Sequence, residues 1–408
     1  MKISRAAAVI AAAGLAVGLT ACGSGFSSGG STQDNTKPLS ILIGSSGDAE
    51  TAAVKSAVAA WSKTSGIKAT VTVASDLNQQ LAQGFSSGKP ADVFYLSTDA
   101  LAGYAANGSL YSYGDKLSNK SDFYPNLVKS FTYNNKLVCA PKDFSTLQLI
   151  INTDLWSKAG LTDSDIPTTW DQLQAVATKL TTGSQTGLVI GGEYARIGAF
   201  MTQAGGNLMN ADSTKATADS DANVKALDYV KKNLTAGDFK FAADVGAGWG
   251  GEAFGKQLGV MTIEGNWITG SQTADYPNIK YKVVPLPKGP AGAGTLQFSN
   301  CWGIAADSAN KTGALDLVQK LTTKSDQLAF AKAFGVMPSI QSAASDWKKE
   351  FPNLAAFLDA ATYAQNVPAA KGASDVVTDF NSQVAKLATG DPKTILSSTQ
   401  TNLDALLK

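Results

Sequence analysis

The chain has 408 residues, 44% of them hydrophobic, with 34 Lys and Arg against 33 Asp and Glu and a net charge of +1. That length exceeds one ordinary domain, so two lobes are expected, and the even charge balance, with no basic or acidic block, excludes a nucleic-acid or polybasic membrane-surface role. With no histidine and 3 cysteines, the chain cannot build Ser-His-Asp or Cys-His catalysis, a histidine-bearing zinc site or a four-thiolate metal centre.

The chain opens on Lys2 and Arg5, followed by an apolar run from Ala6 to Leu19. A membrane-crossing helix needs about 20 apolar residues, so this run reads as a secretory leader rather than an anchor. It ends on Leu19-Thr20-Ala21-Cys22 and gives way to Gly23–Pro38, rich in Gly, Ser, Thr, Asn and Asp. Such a segment has little to bury and behaves as a flexible tether. The four residues before the tether resemble the lipobox of bacterial lipoproteins. That resemblance implies a signal peptide over residues 1–21, a diacylglycerol on Cys22, and a leash over residues 22–38. A plain signal peptide with an incidental cysteine is the alternative.

Beyond the tether, strand and helix alternate. Leu39–Ile43 is a short apolar strand, and Ala49–Lys63 has helical spacing with Val54, Val58 and Trp61 on one face. Ala69–Val73 is a strand, Asp76–Phe85 a helix, and Ala91–Leu96 a strand. This pattern predicts a parallel sheet covered on both faces, with ligands bound beyond the carboxyl ends of its strands. The loops holding Asp48 and Asp99 fall there. Lys136–Ala140 and Leu147–Ile151 read as strands, and Thr169 as the N-cap of a helix running to Leu180. Gly187–Ile190 and Gly259–Ile263 are strands. Glu264-Gly265-Asn266-Trp267 reads as a turn. Ile279–Pro285 and Cys301–Ala305 are further strands, and the C-terminal region is mostly helical.

The ordered landmarks resemble one family, the family 1 extracellular solute-binding proteins that serve carbohydrate ABC transporters. They are Trp61–Lys68, Ala91-Asp92-Val93, Tyr133–Leu137, Asn152–Trp156, Pro167–Asp171, Ala253-Phe254, Gly259–Ile263 with Trp267, and Trp302–Ala305. The resemblance implies an α/β protein of two lobes joined by hinge crossings, with sugar bound in the cleft between them. On that basis the first lobe covers residues 39–143 plus 306–345, and the second covers 146–298 plus 346–408. The crossings fall near Phe144-Ser145 and Asn300–Trp302. Cys139 and Cys301 then lie near the hinge, where they either pair as a disulfide or remain buried thiols.

A sugar site needs aromatic platforms for C–H faces and polar side chains for hydroxyls. Among the 7 tryptophans, Trp61, Trp156 and Trp170 sit in amphipathic segments and read as core. By resemblance Trp267 is a stacking platform. Trp302 at the crossing and Trp249 in a Gly-rich loop are open between site and core, and Trp347 reads as surface packing. Asp48 and Asp99 match positions that bind sugar hydroxyls, with Asx turns or caps as the plain alternative. Glu193, Tyr194 and Arg196 match a polar segment of the second lobe, and Asn266, Ser145 and Tyr363 are further candidates. Ser145 stands where the maltodextrin receptors carry an acidic residue, so the maltodextrin contact set is not retained whole. The expected function is capture of a sugar, an oligosaccharide foremost, and delivery to a permease. The protein is expected to act as a monomer, without metal or cofactor, lipid-anchored at the outer face of the cytoplasmic membrane. A receptor for another solute and a secreted glycoside-acting enzyme with paired carboxylates are the competing readings.

Overall fold

The computed structural model describes residues 34–408, so the leader, Cys22 and most of the tether lie outside the described residues. The first sheet has five strands in the order Ala69–Val73, Leu39–Ile43, Val93–Ser97, Asn300–Ile304, Ala140–Pro141. Its first three strands are parallel, and Asn300–Ile304 is added antiparallel to Val93–Ser97. The helix Asp48–Ser65 buries Val54, Val58 and Trp61, as its spacing predicts. It ends where Gly66 takes a φ of 74°, the left-handed conformation that glycine adopts without a Cβ penalty. The Trp61 indole donates to Asp316 at 2.7 Å, which ties this helix to Lys311–Leu321.

The second sheet is organised on one long strand, Asp143–Asn152, in which all ten residues are buried. Gly259–Gly265, Tyr281–Val284, Leu296–Phe298 and Met337–Pro338 all pair with it antiparallel. Gly259–Gly265 continues in parallel to Thr186–Ile190, and that strand to Phe239–Phe241. The helix Trp170–Leu180 starts on the predicted cap, the Thr169 hydroxyl accepting from the Gln172 amide. Each sheet carries its own apolar core. The C-terminal helices Ala373–Val384 and Pro392–Leu406 pack into the second core through Phe380, Leu396 and Leu403. A third cluster, including Leu127, Phe144, Ile150, Met337, Trp347 and Phe357, joins residues flanking both sheets behind the crossings.

Several of the expected strand ends move, and Lys136–Ala140 divides into Lys136–Leu137 and Ala140–Pro141. The strand expected at Leu147 begins at Asp143, and the strand expected to stop at Ile263 runs on through Gly265. Glu264 pairs in register with Gln148, and Gly265 with Leu147. The acidic residue and the glycine suggest a turn locally, but the neighbouring strand supplies the partners that keep the backbone extended. Trp347 is fully buried rather than on the surface, its indole donating to the Val336 carbonyl at 3.0 Å.

The chain passes between the sheets at Lys142 and at Ser299, and these passages are bonded to each other. The Lys142 amide donates to the Asn300 carbonyl at 2.8 Å, and the Ser299 hydroxyl donates to the Asp143 carbonyl at 2.5 Å. Cys139 and Cys301 form a disulfide with a Cα–Cα distance of 5.6 Å, joining positions 162 residues apart. A cross-link of this kind removes much of the freedom of the unfolded chain. The double variant Cys139→Ala/Cys301→Ala is expected to lose about 2–4 kcal/mol of stability. Urea denaturation of the two proteins measures this, and reductant should lower the wild type alone.

Candidate functional site

A cavity of about 1620 Å³ opens between the two sheets at the crossings. The first-sheet side contributes Asp48, Ser97 and Asp99; the crossings contribute Lys142, Asp143, Ser145 and Ser299; the second-sheet side contributes Trp249, Asn266 and Trp267. Asp48 and Asp99 stand in the first turns of helices that follow the parallel strands Leu39–Ile43 and Val93–Ser97. Both therefore reach the cleft from the carboxyl ends of strands, where open α/β sheets bind ligands. Ser97 also lines the cavity, although its hydroxyl oxygen is buried and has no hydrogen-bond partner.

The floor of the cleft is a buried charge cluster. The Lys142 ammonium lies 3.0 Å from the Glu50 carboxylate, bonds the Asp143 carboxylate, and sits 4.5 Å from the centroid of the Tyr95 ring. Burial alone would push Glu50 up, but Lys142 and two bonds from Ser46 outweigh it and hold its carboxyl below the ordinary value. Asp143 goes the other way. Burial raises it, and Lys142 only partly offsets that rise while Glu50 adds to it. Burial would lower Lys142, yet the two carboxylates together hold it above the ordinary lysine value.

Opposite lies an aromatic wall. Trp267 begins the helix Ile268–Asp275 and keeps 39% of its surface exposed, as few large apolar side chains among the described residues do. Its indole donates to Glu264 at 3.0 Å, and Phe298 meets its ring edge-on at 5.6 Å. Trp249 caps the helix Gly250–Gly255, packs partly against the third core and lines the same cavity. Ser145 and Asn266 are joined, the Asn266 amide donating to the Ser145 hydroxyl at 3.0 Å. The Asn266 side chain donates to the Gly335 carbonyl at 2.6 Å, so one of its donors is already engaged.

Other candidates stand elsewhere. Trp302 is fully buried in the first core, edge-on to Tyr95 at 4.7 Å; it is a core residue because the strand that carries it is internal to the first sheet. Tyr194 reaches the cavity edge, but its ring is buried against Phe380 and its hydroxyl donates to Asn207, away from a ligand role. Glu193 precedes the helix Tyr194–Gln203 and pairs with Arg196 at 3.2 Å rather than lining the cavity. Tyr363 also stands off the cavity, bonded to Gln148. Sequence reasoning passed over Glu50 and Lys142. The one available signal was spacing, since Glu50 lies two residues beyond Asp48 and Lys142 directly precedes the crossing.

Removing one member of a buried charge cluster leaves the others uncompensated. Lys142→Met is expected to cost about 3–5 kcal/mol by urea denaturation, because Glu50 and Asp143 would then face each other unpaired. Adding Glu50→Gln to that variant should recover part of the loss.

A sequence model of the family described as bacterial extracellular solute-binding protein matches residues 56–357. Solved structures share the fold across the chain. The cyclic alpha-maltosyl-1,6-maltose binding protein of Arthrobacter globiformis superposes with a TM-score of 0.81 at 20% identity, covering 92% of this chain and 100% of its own. An ABC substrate-binding protein of Listeria monocytogenes in complex with cycloalternan gives 0.79 at 22% identity, covering 91% and 99%. UgpB of Mycobacterium tuberculosis in complex with glycerophosphocholine also gives 0.79, at 16% identity, covering 91% and 98%.

Proposed function

The chain belongs to the bacterial extracellular solute-binding proteins, and we propose that it captures a neutral carbohydrate, an oligosaccharide foremost, and hands it to an ABC permease. The observation that carries this reading is the exposed Trp267 ring facing a cleft lined by Asp48, Glu50, Asp99, Asp143 and Glu350. The ring offers a flat apolar surface for sugar C–H groups, and carboxylates accept hydrogen bonds from sugar hydroxyls. The cavity volume of about 1620 Å³ exceeds the roughly 300–1,000 Å³ of ordinary small-molecule pockets, which favours more than one sugar ring.

The same lining weighs against phosphate-bearing solutes. Its five carboxylates face two lysines, and Lys142 is already engaged by Glu50 and Asp143. It does accommodate a cationic solute, since an ammonium group can bind both carboxylates and an indole face. Members of the family are binding proteins, and capture requires no chemical step. Asp48, Asp99, Ser145, Asn266, Trp249 and Trp267 are the residues we assign to ligand contact. The lipobox-like segment supports attachment through Cys22, with the tether raising the effective concentration of the receptor near its permease.

A ligand that binds only the folded state raises the melting temperature. The tether-free protein is to be screened by thermal shift against neutral mono- and oligosaccharides, glycerophosphocholine and polyamines. A shift with an oligosaccharide series, with no product after prolonged incubation, is the expected result. A shift with polyamines alone would replace the sugar by a cationic solute, and turnover would make the protein an enzyme. In the native host, Cys22→Ser is expected to move the protein from the membrane fraction to the soluble fraction.

A further inference from the structure

Trp267 is too exposed for burial alone to fix its ring. Four contacts fix it instead. The indole N–H donates to Glu264 Oε2 at 3.0 Å. The Arg196 guanidinium, itself bonded to the same Glu264 oxygen, stands 5.4 Å from the ring centroid. Phe298 meets the ring at an interplanar angle of 76°. The ring also lies against the backbone of Gly265, where a Cβ would come within 2.3 Å of it.

Glu264 is the centre of this arrangement. Its side chain is fully buried, its Oε1 has no hydrogen-bond partner, and its Oε2 is shared between Arg196 and Trp267. A buried carboxylate is costly unless its charge is compensated and its oxygens are bonded. The core of the second sheet would be served as well by an apolar residue at this position. The groups that the Glu264 charge does engage are the indole itself and the guanidinium beside it, two of the four contacts that set the ring.

The geometry points to Glu264 as a positioning residue for Trp267: its carboxylate orients the indole directly through Nε1 and indirectly by holding Arg196 beside the ring, while Gly265 leaves the room in which the ring lies. This deepens the carbohydrate reading and rests on Trp267 being its platform. A ring held in its binding orientation before the ligand arrives loses less freedom on binding, so affinity depends on groups that never touch the sugar.

The test has a ligand-free arm and a binding arm. In protein labelled with ¹⁵N at tryptophan, the Trp267 indole N–H resonance is identified by its loss in Trp267→Phe. In Glu264→Gln, which keeps the side-chain shape, this resonance alone among the indoles is expected to shift substantially, and its solvent exchange to quicken by about tenfold or more. Gly265→Ala should displace the same resonance with the Glu264–Arg196 pair retained, which covers the case in which the first variant folds poorly. With maltotetraose as the probe, Glu264→Gln should weaken binding by about tenfold, while Trp267→Ala/Glu264→Gln should bind no worse than Trp267→Ala alone. An unmoved Trp267 resonance in folded Glu264→Gln overturns the proposal, as does an equal loss of affinity from Glu264→Gln in the Trp267→Ala background. If the wild type binds no maltotetraose or other sugar, the carbohydrate reading fails separately, and the ligand-free resonance still decides the role of Glu264.

Discussion

The buried ammonium of Lys142 is the contact on which the rest of the cleft depends. It joins Glu50, on the first helix of the first lobe, to Asp143, the opening residue of the strand that organises the second sheet. An ion group this far from water survives only with well-formed partners on several sides. Its backbone amide meanwhile secures the other passage of the chain through Asn300. The relative placement of the Asp48 and Asp99 helices and the Trp267 wall therefore passes through a few polar contacts at the crossings. The cluster gathers two carboxyl groups around one ammonium, and Asp48, Asp99 and Glu350 add further carboxyl groups along the cleft. One small group of residues thus serves as both structural joint and electrostatic floor.

Much of the architecture was legible because its signals are local. The five-residue strand Leu39–Ile43, the buried face of Val54, Val58 and Trp61, and the Thr169 cap each follow from spacing or from side-chain chemistry within a few positions. The misreadings share one cause, which is that the deciding partner lies far away in sequence. Glu264 and Gly265 have turn-like composition, but Gln148 and Leu147 hold them in a strand. Trp302 sits at a crossing, where the sequence leaves its side open, and only the pairing with Tyr95 in the neighbouring strand buries it. Trp347 looks amphipathic among lysines and acids, but the third core covers it.

The site was legible to a similar degree and for similar reasons. Asp48 and Asp99 follow strand ends, and strand ends can be read from a sequence. Trp267 follows a strand, two residues after a glycine, and its platform role was implied by the family resemblance. Glu193, Tyr194 and Tyr363 lie in segments that flank the cleft, but rotation about one helix or turn decides which side chains enter it. That rotation is set by contacts such as Tyr194 with Phe380 and Asn207, some of them nearly two hundred residues distant. Beyond the spacing of Glu50 from Asp48 and of Lys142 before the crossing, nothing local marked the Lys142 cluster, because its three members come from two separate parts of the chain.

The disulfide carries a mechanical consequence. Cys139 and Cys301 lie on the first-sheet side of the two passages, one just before Ala140–Pro141 and the other inside Asn300–Ile304. Clamped there, the two segments cannot slide past one another along their length. Flexing of these two passages is left to the far side of the clamp, around residues 142–145 and Ser299. Paired ribbons fixed at one end bend together as a leaf spring does, favouring flexure in one direction and resisting shear. The covalent bond thus reinforces two connections that are already hydrogen-bonded to each other, so that they flex together.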